Sequence, residues 1–426
     1  MYTRAMNIYF SGLGGVAIGP LAEIARDAGH SVIGSDLADN LMTEQLRDAG
    51  ITVAIGQDGS FLRACHETRP IDWFVHTSAL PDDHPELLVA RELGIATAKR
   101  DELLAMIIKE KELKLIAVAG THGKTTTTGM LIWVMKQLGI PISYSVGTTL
   151  TFGPSGVFTP HSEYFVYECD EYDHNFLNFF PHLSLITAID YDHPDTYPTE
   201  QSYKDAFTQF MSQSEHTIMW QADAAYQGGA PTHSWVLDSV SELSLNGEHN
   251  RRNGTLVVKA MEYLAQIAES EVTAALARFP GTDRRFEKLA DNLYTDYGHH
   301  PEEIAATLQM ARELSDHVVL VYQPHQNKRQ YLVREQYKDV FAAAETVYWL
   351  PTYLSREDDR PILTPSELSE YVANKDIVHP AELSDELWSI LTDARAAGKL
   401  VLCMGAGTID DWVRRQLQAE TPSTLS

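Results

Sequence analysis

Short apolar runs alternate with amphipathic stretches along nearly the whole chain, a pattern that predicts strands and helices in turn. Residues 7–12 (NIYFSG) predict a buried strand, 16–28 an amphipathic helix, and 31–36 (SVIGSD), 73–79 (WFVHTSA) and 94–99 (GIATAK) further strands. Such alternation implies a parallel sheet covered by helices. A charged segment at 109–114 (KEKELK) is expected to be a hinge, because a new apolar strand, 115–120 (LIAVAG), begins directly behind it. A glycine loop and helix at 120–138 and strands at 164–170 and 183–190 follow. Residues 221–247 lack periodicity and predict loops with short strands, and 247–279 predict two helices. From Pro280 the alternation returns: strands at 292–297, 318–323, 346–350 and 399–405, with helices at 301–314, 331–344 and 383–397.

A chain of 426 residues is about three times the common domain size, so we place domains at 1–111, 112–279 and 280–426 in an α/β protein. Thirty-three basic against 59 acidic residues, a net charge of −26, argue against a general nucleic-acid surface. No run is long enough and apolar enough for a membrane span, and the N-terminus carries no signal-peptide pattern, so a cytoplasmic protein is expected. Cys65, Cys169 and Cys403 are far apart and lack metal or disulfide spacing, which predicts reduced, mostly buried thiols.

The strongest chemical signal spans 115–128, LIAVAG followed by THGKTTTT. An apolar strand runs through Gly120-Thr121-His122-Gly123 into a helix beginning at Lys124, so backbone N–H groups and the helix N-terminus converge where a phosphate can sit. Lys124 would meet the β/γ-phosphates and Thr125 would ligate Mg²⁺, although two residues separate the glycines where a P-loop usually has four. The acidic groups of ECDEYD (168–173) and DHPDTY (192–197) follow strands and can share that crevice. Glu168 with His193 suits a hard divalent cation. Near the N-terminus, Gly12, Gly14 and Gly15 with Asp36 fit a dinucleotide fingerprint. That turn binds any diphosphate, UDP included, and by itself leaves an NAD-dependent oxidoreductase open.

In order along the chain, GLGG, GTHGKTTTT, ECDEYD, DHPDTY, GEHNRRN, GTDRRFE, TDYGHHPEE and QPH resemble the Mur ligase family. The resemblance is nearest to the branch that joins L-alanine to UDP-N-acetylmuramate; a branch that recycles murein tripeptide is also similar. It implies a Rossmann-like UDP-binding domain, a central P-loop-type ATPase domain with a parallel sheet, and a Rossmann-like C-terminal domain that binds the amino acid. ATP and Mg²⁺ are the implied cofactors, and a monomer or homodimer without membrane attachment is expected. Carried over, Gly120, Thr121, His122, Gly123, Lys124, Thr125, Thr126, His249, Asn253, Arg285 and Asp296 would hold the nucleotide. Thr125, Glu168 and His193 would hold the metal. Lys124, His193, Arg285 and His300 would serve catalysis, while Gly12, Gly14, Gly15, Asp36 and Ser78 would face UDP and His325 and Arg329 the amino acid. Two positions and one segment depart from the family pattern: Ala188 where an asparagine is usual, Gln326 where an arginine is usual, and residues 221–247, much shorter than that part of the family's central domain.

Overall fold

The computed structural model describes residues 5–77, 80–355, 357 and 359–420, so Ser78 lies outside the described residues. They form two compact units, one of 1–243 with 253–279 and one of 244–252 with 280–426.

The first unit holds two sheets. The N-terminal sheet is parallel throughout, in the spatial order Thr52–Ile55, Ser31–Asp36, Asn7–Ser11, Trp73–His76, Ala96–Lys99. Asn7–Ser11 lies at its centre with all five residues buried, as expected for a strand covered on both faces. Helix Ile18–Asp27 covers one face through Ile18, Leu21, Ala22, Ile24 and Ala25, the helical spacing read from the sequence. The second sheet runs Ser234–Leu237, Thr217–Trp220, Leu183–Ile186, Lys114–Ala119, Tyr164–Glu168, Ile142–Ser145, Gly156–Val157, and only the last pairing is antiparallel. Within it Val118 pairs with Glu168 and Ala119 with Ile186, so three loops leave the sheet side by side.

The second unit carries a sheet in the order Glu287–Ala290, Leu293–Asp296, Leu400–Met404, Val318–Tyr322, Thr346–Trp349, Val378–Pro380. Its first pairing is antiparallel and the rest are parallel. Trp349, Tyr337, Tyr322 and Phe341 form a buried aromatic centre on one face, and Trp388 and Trp412 meet edge to face on the other.

Three expectations shift. The segment 109–114 is not a free hinge: a helix, Arg100–Glu110, runs through its first residues, and the turn is made by Glu112 in a left-handed conformation at φ 54°. The helix expected at 331–344 divides into a helix Asn327–Val333 and a 3₁₀ turn Arg334–Asp339. There the Tyr337 hydroxyl donates 2.7 Å to Gln330 and pairs with that of Tyr322, satisfying polar atoms the core would otherwise strand. The strand Glu287–Ala290 has no alternating pattern to betray it and is recruited by pairing with Leu293–Asp296.

Candidate active site

Gly120 and Gly123 both take positive φ, 137° and 83°, which a side chain resists. A Cβ at Gly123 would lie 2.8 Å from Asn253 Oδ1, so bare backbone and the Asn253 amide meet at the mouth of the loop. The loop is braced from behind. Thr121 N–H donates to Ala188 O at 2.8 Å, and the Thr121 hydroxyl bonds Asp190 O at 2.8 Å and the Tyr203 hydroxyl at 2.7 Å. Helix Lys124–Gln137 starts immediately afterwards, leaving its first N–H groups at the loop.

Two carboxylates stand beside it, Glu168 half-buried and Glu171 buried. Glu168 accepts from the Thr125 hydroxyl at 2.7 Å and from Gly147 N–H at 2.7 Å. Glu171 has no solvent-exposed side-chain surface; it accepts from Lys124 Nζ at 2.8 Å and lies 3.5 Å from His193 Nε2. Lys124 also donates to Gly120 O at 2.6 Å. Burial opposes charge on Lys124, yet Glu171, Asp170 and Glu168 win and raise its pKa; for Glu171, burial is likewise outweighed by Lys124 and His193, which lower it. His193 pairs with Glu171 and Asp192, and Glu168, Glu171 and His193 do not converge closely enough to share one ion as a trio. Thr126 is the third residue of the helix, and His122 lies 3.8 Å from Asp190.

At the N-terminal sheet, Gly12 takes φ 86° and Gly15 N–H closes the turn on Gly12 O at 3.0 Å. Asp36 Oδ2 accepts from Gly14 N–H at 2.6 Å, so the acidic residue secures the turn. Beneath it, Glu86 is wholly buried and accepts from Tyr9, Ser11 and Ser35 hydroxyls at 2.6 Å each.

In the second unit, Arg285, Glu303, His299, Arg329 and His325 form one chain of contacts. Arg285 lies 3.8 Å from Glu303, Glu303 accepts from His299 N–H at 2.9 Å, Arg329 donates to His299 Nε2, and the His299 and His325 rings meet edge to face at 5.3 Å. His300 caps helix Pro301–Leu314. Asp296 is buried and accepts from Phe286 and Gly298 N–H groups at 2.8 and 2.7 Å, and burial pushes its carboxyl to about 6 against the pull of Arg285 and those N–H groups. His249 belongs to this unit as well, its ring against Gly247.

Three family models match in sequence: "Mur ligase family, catalytic domain" over 7–112, "Mur ligase middle domain" over 118–249, and "Mur ligase, glutamate ligase domain" over 284–407. The chain belongs to the Mur ligase family. Curated relatives named UDP-N-acetylmuramate–L-alanine ligase, from Thermosynechococcus vestitus and Carboxydothermus hydrogenoformans, are each 30% identical; the alignments cover 95% and 96% of this chain and 94% and 95% of theirs. A crystal structure of UDP-N-acetylmuramate-alanine ligase from Thermotoga maritima superposes with a TM-score of 0.74 at 24% identity, covering 98% of this chain and all of that one. A murein peptide ligase from Psychrobacter arcticus gives 0.64 at 23%, covering 97% and 98%. The fold is therefore the three-domain α/β fold of Mur ligases. Among the described residues no helix is long and apolar enough to cross a membrane.

In this Mur ligase the Thr187 hydroxyl, beside the Ala188 departure, donates to His122 O and lies 3.2 Å from Ala119 O. At the other departure, Gln326 takes φ 63° and donates its N–H to Tyr353 O at 2.8 Å, which aims the following helix and Arg329. Glu171, Glu303 and His299 contact the candidate residues Lys124, Arg285 and Arg329 without having been singled out in the sequence, though each stands within a marked motif.

Burial lowers two imidazoles in this unit, His299 to about 3 and His249 to about 4. Below pH 6.5 the unfolded chain protonates them and the folded chain does not, so stability falls with decreasing pH, by about 1.4 kcal/mol per pH unit for each. Asp296, with its raised pKa, contributes the opposite slope between its unfolded value and about 6. Denaturation midpoints between pH 6.5 and 4.5 should therefore fall less steeply for His299→Gln than for the wild type; equal slopes contradict a neutral His299.

Proposed function

We propose that this Mur ligase condenses UDP-N-acetylmuramate with L-alanine at the expense of ATP, with Mg²⁺ as cofactor. The observation that carries the reading is the strand–glycine loop–helix with Lys124 at its first position and Thr125 tied to Glu168. The agreement in name of the curated relatives over nearly the whole chain supports the substrates. We keep the boundaries 1–111, 112–279 and 280–426, each enclosing one sheet.

A carboxylate resists attack by an amine because its leaving group is oxide. Phosphorylation removes that barrier. An oxygen of the sugar-acid carboxylate attacks the γ-phosphorus, the bond to the β-phosphate oxygen breaks, and ADP leaves. The deprotonated amine then attacks the acyl carbon and expels phosphate, leaving the amide. Lys124 and the loop N–H groups neutralise and orient the phosphates, which is most of what phosphoryl transfer asks of a protein. The Thr125 hydroxyl and Glu168 carboxylate are hard oxygen donors that fit Mg²⁺, which when bound screens the phosphate charge. His193, beside Glu171, is a second metal-ligand candidate, and we assign Asn253, beside Gly123, to the nucleotide. In the second unit Arg285 and Asp296 are assigned to nucleotide, His325 and Arg329 to the amino acid.

Phosphate release should require ATP, UDP-N-acetylmuramate and L-alanine together. Release that is indifferent to the sugar acid would remove the assignment. Because Asp36 fixes the Gly12–Gly15 turn and the remaining site serves phosphoryl transfer, calorimetry should show UDP-N-acetylmuramate binding and no NAD(H) binding; the reverse pattern would restore the oxidoreductase reading.

A further inference from the structure

One buried carboxylate stands between two cationic partners in the nucleotide crevice. Glu171 Oε2 takes Lys124 Nζ at 2.8 Å while Oε1 faces His193 Nε2 at 3.5 Å. Its backbone is fixed as firmly as its side chain. The Tyr197 hydroxyl donates to Glu171 O, and Tyr197 N–H donates to His193 O at 2.8 Å, so one wholly buried tyrosine ties together the two loops that present Glu171 and His193. His193 itself is held at φ 55° within that turn. Lys124, meanwhile, is folded back: besides Glu171 its donors reach Gly120 O and Thr121 O, at 2.6 and 3.3 Å. An ammonium group with three donors has none to spare for phosphate in that arrangement.

Resting on the ATP-dependent reading above, we infer that Glu171 is a positioning residue that holds Lys124 withdrawn until nucleotide phosphates take it, and orients His193 for the step that follows. The opposing demands are plain in the charges. A buried carboxylate near the phosphates repels them, so it must weaken nucleotide binding. A histidine oriented before the substrates arrive needs no reorganisation during reaction, so the same carboxylate must favour turnover. A residue serving the fold alone has no reason to move binding and turnover in opposite directions.

The test uses the full-length protein and two variants, Glu171→Gln and Glu171→Asp, whose melting curves verify folding. Calorimetry with MgADP reads binding, and steady-state phosphate release reads kcat and the KM for ATP. Glu171→Gln should bind MgADP at least about threefold more tightly, since one repelling charge is gone and Lys124 is released. Its kcat should drop about tenfold to a hundredfold through misplacement of His193. Glu171→Asp keeps the charge with a shorter reach, so its MgADP affinity should stay near that of the wild type while kcat still falls. Weaker MgADP binding by Glu171→Gln, unchanged kcat in both folded variants, or failure of both to fold overturns the inference and assigns Glu171 to structure alone. A wild type that neither binds MgADP nor releases phosphate instead removes the ATP-dependent reading itself.

Discussion

Lys124→Ala is expected to lower ATP-dependent turnover by roughly a thousandfold or more, because it removes the loop's one cation from a nest of backbone donors where phosphate charge develops. The variant also strands Glu171, buried beside His193 with no lysine opposite. Breaking a buried pair from one side costs about 3–5 kcal/mol, so lost activity alone would be ambiguous. The double variant Lys124→Ala/Glu171→Gln removes both charges and should recover much of the thermal stability while remaining inactive. Near-normal rates in either folded protein would end the assignment of this loop to ATP.

The second large effect is expected at the acceptor. Arg329 follows Gln326 and contacts His299, whose lowered pKa keeps it a neutral acceptor. We assign the Arg329 guanidinium to the carboxylate of L-alanine, which it can grip through two parallel hydrogen bonds. A hydrogen bond to a charged group contributes about 1.5–3 kcal/mol, so Arg329→Ala should raise the KM for L-alanine by about tenfold to a hundredfold. The KM for ATP should hardly move. Steady-state kinetics with L-alanine, glycine, L-serine and murein tripeptide would check both points. An unchanged amino-acid KM contradicts the anchor, and a wild type that uses only the tripeptide contradicts the acceptor.

The parts of this protein legible in its sequence are those set by local physics. Gly120 and Gly123 announced a phosphate loop because their positive φ angles need glycine between a strand and a helix, and Asp36 stood at the end of the second strand where it meets Gly14. Glu171 was not legible, although its hexapeptide was. The strand stops at Glu168, and Glu171 comes three residues later at the cap of a 3₁₀ segment, Tyr172–Asn178, with its side chain on Lys124, a placement no alternation encodes. The choice between neighbours His299 and His300 was hidden for a similar reason. His300 caps the helix, which leaves His299 free to point to Arg329 and His325, and the cap position is decided by tertiary fit. Likewise, the edge strand Glu287–Ala290 forms only because a partner is present.

Isotope transfer tests the proposed chemistry most directly. UDP-N-acetylmuramate carrying oxygen-18 in its carboxylate should be incubated with ATP, Mg²⁺ and L-alanine, and the phosphate and nucleotide-sugar products weighed by mass spectrometry. An acyl-phosphate route places one labelled oxygen in each phosphate released and leaves the other in the amide product. Unlabelled phosphate, or ATP consumption with no amide formed, would contradict the account.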